Sequence, residues 1–424
     1  MFTSIAASFW IYTLIVVFIG LYSARFSEKS ESDFFLAGRG LGPWVAALSA
    51  SASAESGWVT LGLVGMAYST GIGALWIVIG TFCAFIFNWF VLAWRLRTVA
   101  AKHDALSIPD VLASQFRSSA AIVIRIVGVL VILSMTTAYV AAQLNAAGKA
   151  FNGTFGWHYV VGVCVGSGIV LAYTLTGGFR AIAWTDVVQA TFMILTMTLL
   201  PIILMSKIGG PDIFWAKLSE DAVTSTLTDP FAGKAGLALV GFLALWFGVP
   251  LGNVGQPHVL LRLMAVRDKK TVLRGGIISS VWVLVLFSGA VLLGMTARVY
   301  YGDIADPEKT LTRIASDPNV VPGFIGGMIM ATIVAAICST ADSQLLVSAS
   351  AVSHDLLVRL FGCKLSHKGR MILDRLAVLL IGIIATVIAA AEVRSVFGFV
   401  LYCWDGLGAG FGPALILSLF WKRA

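Results

Sequence analysis

Charge is scarce in this chain. Only 12% of its 424 residues are Asp, Glu, Lys or Arg, and 58% are hydrophobic. A soluble globule carries about a quarter charged residues, so the composition excludes an ordinary water-soluble domain. Cysteine and histidine are sparse, five of each. Cys83, Cys164, Cys338, Cys363 and Cys403 are scattered with no CxxC or other metal spacing, and they read as plain thiols. The histidines do not cluster either, and no nucleophile–base pair or phosphate-binding loop is visible, so enzymatic chemistry has no support. The short alternating segments that close a membrane β-barrel are missing too.

What is there is a succession of long apolar runs, at about 7–25, 42–70, 72–95, 122–148, 158–176, 183–206, 235–257, 275–298, 322–350, 371–391 and 396–420. The expected fold is therefore an all-α polytopic membrane protein of about eleven transmembrane helices, with lipid as its solvent. The first run lacks a basic start and a small-residue cleavage site, so it reads as a retained helix rather than a signal peptide. Lys and Arg set the orientation. With the N-terminus outside, the cytoplasmic side collects Arg25, Lys29, Arg39, Arg95, Arg97, Lys102, Arg117, Arg125, Arg180, Arg262, Lys269, Lys270, Lys422 and Arg423, among others. The outer loops hold acids such as Asp212, Asp221, Asp229, Asp306 and Glu308. The net charge of +8 is then an orientation signal and requires no nucleic acid. The expected location is the cell (inner) membrane, multi-pass, with the C-terminus cytoplasmic.

Three spans contain breakers. The second reads "LSASASAESGWVTLG" (Leu48–Gly62), small and polar with one Glu. The seventh reads "WFGVPLGNVGQPH" (Trp246–His258), with Pro250, Gly252, Gly255 and Pro257. The eleventh reads "YCWDGLGAGFGP" (Tyr402–Pro413). Such residues either let helices pack closely or interrupt them. The second and seventh spans open two five-helix halves, and matched interruptions in corresponding places point to a midplane site between inverted repeats. The expected division is an extra helix in 1–26, a first repeat in 27–210 and a second in 211–424.

The ninth span carries "AAICSTADSQLLVS" (Ala335–Ser348). Helical spacing puts Ala336, Ser339 and Thr340 on one face and Ser339, Asp342 and Ser343 on the adjoining one. Hard oxygen ligands with little charge suit Na⁺. Ser and Thr hydroxyls also bond back to their own helix, but a carboxylate at membrane depth, Asp342, is costly and normally functional. Asp186, near the start of the sixth span, reads either as a solvated helix-start carboxylate or as a group facing Asp342 and Ser343 across the bundle.

The stretches "FLAGRGLGPWVAALSA", "SGWVTLGL", "LSIPD", "TGGFRAIAWTDVVQA", "GQPHVLLRLMA" and "STADSQLLVSASA" together resemble the sodium:solute symporters, nearest their sodium/proline branch, over about residue 8 to 424 in matching order. The resemblance implies a leucine-transporter-like core of two inverted five-helix repeats after one extra helix, and Na⁺-driven uptake of a small organic solute, an amino acid such as proline, by alternating access. It implies a sodium site from the carbonyls of Ala52, Glu55 and Ala336 and the hydroxyls of Ser339 and Thr340. A second cation site in some relatives corresponds to Asp186, Ser339, Asp342 and Ser343. Substrate contacts carried over are Ser56, Gly57, Tyr139, Gln256 and Pro257, with Asn253 beside them.

The chain also departs from that branch. Ala54 stands where the proline branch has Asp, and Glu55 follows it. Val249 and Asn253 replace aromatic positions, and Asp405 replaces a small residue in the eleventh span. Glu55 and Asp405 are the candidate charge partners, able to hold a basic group, a proton or water. They predict a more polar or cationic solute than proline. Relatives commonly continue past the "LFWKRA" ending with further helices, and some are fused to a sensor kinase, so a solute-sensing receptor with a signalling partner is the alternative function. A proton-coupled carrier using Glu55, Asp342 or Asp405 is a further one.

Overall fold

A computed structural model describes residues 2–24, 31–116, 119–220, 225–364, 366–391 and 395–421. Arg25, Lys29, Arg117, Asp221, Lys422 and Arg423 lie outside the described residues. Within them the chain is helical throughout; no β-strand forms, and one isolated parallel bridge joins Leu41 to Val266. This is the multi-pass membrane architecture that so apolar a chain requires, since only helices satisfy the backbone in lipid without pairing to another segment.

Nine helices among the described residues are long and apolar enough to cross a membrane. The difference from eleven has a physical cause. The second span is cut into Pro43–Ala54 and a continuation from Trp58, and that continuation runs into the third span around Gly71. The fifth and sixth spans form one helical run, Tyr159–Ile208, turned at Gly178, whose φ of 59° and ψ of −178° lie outside helical space. Its first part leaves only the shorter apolar stretch Tyr159–Ala172.

The second span breaks because nothing in its small-residue stretch holds it wound. Glu55 adopts φ −94°, ψ 91°, and the Gly57 amide, freed from the helix ladder, donates to Gln143 Oε1 of the fourth span at 2.9 Å. The seventh span breaks in kind. It runs Gly236–Leu243, widens over Ala244–Gly248, tightens over Val249–Gly255, and opens at Gln256 (φ −84°, ψ 105°) before Pro257–Met264. Leu41 and Val266 pin the ends of these two broken helices together: Leu41 N donates to Ala265 O and Arg267 N donates to Leu41 O, both at 3.1 Å.

The eleventh span, in contrast, is one helix, Val396–Phe420, with Pro413 inside it. Its glycines serve packing instead. A Cβ on Gly255 would lie 2.7 Å from Gly408 O and from Gly412 N, so the seventh and eleventh spans meet backbone to backbone. The ninth span, Gly323–Ser350, is buried for most of its length and packs against the first, fourth, fifth–sixth and tenth. The N-terminal helix Phe2–Ala24 lies against it and against Tyr159–Ile208, outside the broken pair.

Candidate functional site: oxygen ligands, a buried arginine and an aromatic cavity

Where the second span ends, its last carbonyls lose their helix partners and the ninth span meets them. Ser339 Oγ donates to Ala52 O at 2.8 Å and lies 3.1 Å from Ala336 O. Thr340 Oγ1 donates to Ser53 O at 2.9 Å. All these residues are fully buried. Ala52, Ala336, Ser339 and Thr340 of the expected sodium set are therefore gathered at one place, and Ser53 joins them. Neutral carbonyl and hydroxyl oxygens, with no sulfur or imidazole among them, fit Na⁺. Each hydroxyl that donates to a carbonyl can instead turn a lone pair toward a cation.

The second expected set is arranged differently. Asp186 is fully buried, which removes the solvated helix-start reading. Its Oδ2 accepts from Ser49 Oγ at 2.6 Å and from Arg262 Nη2 at 3.0 Å. Arg262 Nη2 also reaches Ser343 Oγ at 2.6 Å, its Nε donates to Ser49 Oγ at 3.0 Å, and Nη1 donates to His258 O at 2.7 Å. Ser343 in turn donates to Asp342 Oδ1 at 3.0 Å. The positive charge in this cluster is a guanidinium. Arg262 is fully buried, not a cytoplasmic loop residue as the distribution of basic residues suggests.

The residues expected to touch solute are packed around the breaks. Ser56 accepts from Trp58 N at 3.3 Å, and a Cβ on Gly57 would lie 2.9 Å from the Ala146 methyl and 3.2 Å from Gln143 Oε1. Tyr139 is fully buried, its ring edge-on to His258 and Trp404 at 5.9 and 6.5 Å between centroids. Pro257 opens the helix after the seventh-span break, and Gln256 Nε2 donates to Trp404 O at 2.9 Å. Asn253 is buried with neither side-chain polar atom partnered among the described residues, and Gln256 Oε1 and Glu55 Oε2 are in the same position. Native proteins rarely leave buried polar atoms unpaired, so their concentration at the two breaks marks a place where a ligand or water completes them.

None of those solute-contact residues lines the adjoining cavity. Its walls are Ala54, Glu55, Trp58, Ile77, Thr81, Phe85, Leu245, Trp246, Val249, Pro250, Phe397, Val400, Leu401 and Trp404. Val249 does take a place in the wall, and Trp246, three residues earlier on the same helical face, supplies an aromatic there. Asp405 does not: it is exposed, so of the two candidate charge partners only Glu55 lines the cavity. Apart from Glu55 and Thr81 the lining is apolar.

Ionic clusters close both ends. At one, Glu308 accepts from Lys149 Nζ at 2.5 Å, from Ser395 Oγ at 2.8 Å, and from the Val396 and Phe397 amides at 3.0 Å, capping the eleventh span where Phe397 enters the cavity wall. At the other, Arg125 bridges Asp110 (2.9 Å) and Asp355 (3.1 Å), while His354 and Arg359 reach Asp110 Oδ2 at 3.1 and 3.4 Å. Burial pushes the Asp110 carboxyl up, but the His354 hydrogen bond and the charges of His354, Arg359 and Arg125 outweigh it and hold it down at about 2. A carboxylate held below its unfolded value stabilises the fold above that value and loses the effect as pH falls through the native one. Asp110→Asn should therefore lower the Tm at neutral pH, and its gap from the unsubstituted protein should close between about pH 4 and about pH 2. A gap that is constant across that window would remove the carboxylate's charge from the account.

Sequence alone did not single out Gln143, His258, Trp404 or the partnership of Arg262. The signal for Arg262 was an arginine inside the apolar "HVLLRLMA", within reach of a break.

Comparison with known proteins agrees with the fold and the motifs. A Na⁺-coupled sialic acid symporter in a substrate-bound, outward-open state superposes with a TM-score of 0.84 at 20% identity, covering 99% of this chain and 88% of that one. The transporter MhsT, in complex with L-phenylalanine, gives 0.59 at 16% identity over 92% and 89%. The high-affinity proline transporter PutP of Bacillus subtilis (strain 168) is 38% identical over 95% of this chain and 84% of its own length. The osmoregulated proline transporter OpuE of the same organism is 36% identical over 99% and 84%, and the sodium/proline symporter of Escherichia coli (strain K12) 33% over 99% and 84%. The profile of the sodium:solute symporter family matches residues 34–424, and this chain belongs to that family.

Proposed function

We propose that this chain is a sodium-coupled symporter that imports proline or a closely related amino acid across a cell membrane, with its N-terminus outside. The observation that carries the reading is the Ser339 hydroxyl at 2.8 Å from the Ala52 carbonyl, beside Ala336 O and next to Thr340. Those oxygens tie the ninth span to the end of the broken second one. Na⁺ bound among them would hold the two together, and its loss toward a sodium-poor cytoplasm would loosen them. The proline transporters named above, at 33–38% identity, support the solute. The halves 27–210 and 211–424 would be the two inverted repeats, with the breaks at Glu55 and Gln256 in matching places. The Asp110–Arg125–Asp355 cluster then lies on the cytoplasmic side and the Glu308 cap outside.

Binding must be reciprocal: sodium raises solute affinity by the factor that solute raises sodium affinity. A thermal-shift screen of amino acids in Na⁺ against K⁺ tests this directly. Proline should raise the Tm in sodium and leave it unchanged in potassium. Equal shifts in both salts, or none with any amino acid, would defeat the reading.

A further inference from the structure

The carboxylate of Glu55 is the one ionisable group among the described residues in the wall of this cavity. Its residue is 1% exposed, and Oε2 has no hydrogen-bond partner among the described residues. No lysine, arginine or histidine shares the wall. The hydroxyl of Thr81, across the cavity from the second span, is also unpartnered. The remaining surface is aromatic. The Phe397 ring centroid lies 6.0 Å from Trp58 and 5.5 Å from Trp246, and the Trp404 indole is fixed by donating to Val249 O at 3.2 Å.

An acid buried at membrane depth needs a cation or a proton. Aromatic faces attract organic cations and cover their apolar parts equally well. A box of indole and phenyl rings with one carboxylate in it suits a compact ammonium carrying an aliphatic body. It does not suit a sugar, whose hydroxyls would find few partners, or a dianion, which Glu55 would repel.

We infer that Glu55 receives the charged nitrogen of the transported amino acid while Trp58, Trp246, Phe397 and Trp404 enclose its aliphatic ring, so that an unacylated ammonium is what this pocket selects. The inference rests on the amino-acid reading above and assigns a side chain that the proline branch does not share. The Glu55 side chain and backbone then have separate tasks, since only its carbonyl belongs to the expected sodium set.

The test uses the full chain in detergent or nanodiscs, in sodium, with three probes: L-proline, which has both charges; pyrrolidine, which has only the ammonium; and N-acetyl-L-proline, which has only the carboxylate. Proline and pyrrolidine should raise the Tm, and N-acetyl-L-proline should not. Glu55→Gln should weaken proline binding by at least about tenfold and abolish the pyrrolidine shift, while its sodium-induced stabilisation persists because the backbone carbonyl is retained. Unaltered proline affinity in Glu55→Gln, or protection by N-acetyl-L-proline without protection by pyrrolidine, overturns the proposal. Proline uptake driven by a pH gradient in sodium-free buffer and lost in Glu55→Gln would also overturn it, by giving the carboxylate a proton to carry. Should Glu55→Gln fail to fold, the three probes on the unsubstituted chain still decide. If proline has no effect but pyrrolidine protects in a Glu55-dependent way, the amino-acid reading fails and the ammonium site stands.

Discussion

Replacing both Ser339 and Thr340 by alanine should raise the sodium concentration for half-maximal uptake by at least about tenfold, a loss of ~1.4 kcal/mol in sodium binding. The two hydroxyls sit at 2.8 and 2.9 Å from carbonyls of the broken second span, so they are the movable members of the oxygen cluster. Alanine leaves the carbonyls in place and removes the oxygens that tie them to the ninth span. The change has a second consequence. In sodium-free buffer the variant loses two buried hydroxyl–carbonyl bonds, worth about 0.5–1.5 kcal/mol each, so its Tm should fall there as well. What separates ion binding from packing is the sodium-dependent increment in Tm, which should shrink, together with a weaker apparent affinity for solute at limiting sodium. Sodium dependence that matches the unsubstituted protein would remove these hydroxyls from the site.

The place of that cluster was legible because two periodicities crossed. Ala336, Ser339 and Thr340 share a helix face by spacing alone, and the Ser–Ala–Gly stretch around Glu55 contains nothing to keep a helix wound. Helix breaking is a local property, so the sequence carries it. The seventh-span break at Gln256 was legible for the same reason, through Pro250, Gly252, Gly255 and Pro257. The eleventh span shows the limit. Its glycines look alike in sequence, yet Gly408 must be small because Gly252 lies against it, 2.8 Å from where a Cβ would sit, and no local pattern reports a neighbour from another span. Nine long helices against about eleven apolar runs comes down to Gly71 and Gly178, where one turn residue separates two runs that helix length alone joins.

Long-range pairing was the larger gap. Glu55 and Asp405 look alike in sequence as candidate charge partners, but a helix face fixes direction, and Asp405 is exposed while the adjacent Trp404 lines the cavity. Arg262 was assigned to the cytoplasmic side because arginines near span ends usually go there. Its position 76 residues from Asp186 in sequence hides that the two broken helices run side by side, which brings Ser49, Arg262 and Asp186 within hydrogen-bond reach.

That pairing makes the remaining prediction. Asp186 and Arg262 are both fully buried, and removing one partner of such a pair leaves a charge with no compensation, at a cost of about 3–5 kcal/mol. Arg262→Met should therefore lower the Tm steeply in potassium, whereas Arg262→Met combined with Asp186→Asn should recover most of the loss, because the two effects are strongly non-additive in a contacting pair. The same geometry bears on stoichiometry. With the guanidinium bonded to Asp186 and Ser343, the second oxygen cluster already has its positive charge, so the unsubstituted protein should bind sodium with a Hill coefficient near one. Once Arg262 is methionine, Asp186, Ser343 and the adjacent Asp342 have room and negative charge for an ion, and sodium should restore Tm with a steeper, two-ion dependence. Two sodium ions per solute in the unsubstituted chain, measured as charge moved against labelled proline taken up, would mean that the arginine leaves this cluster during the cycle, and the assignment of its guanidinium as the resident cation would be wrong.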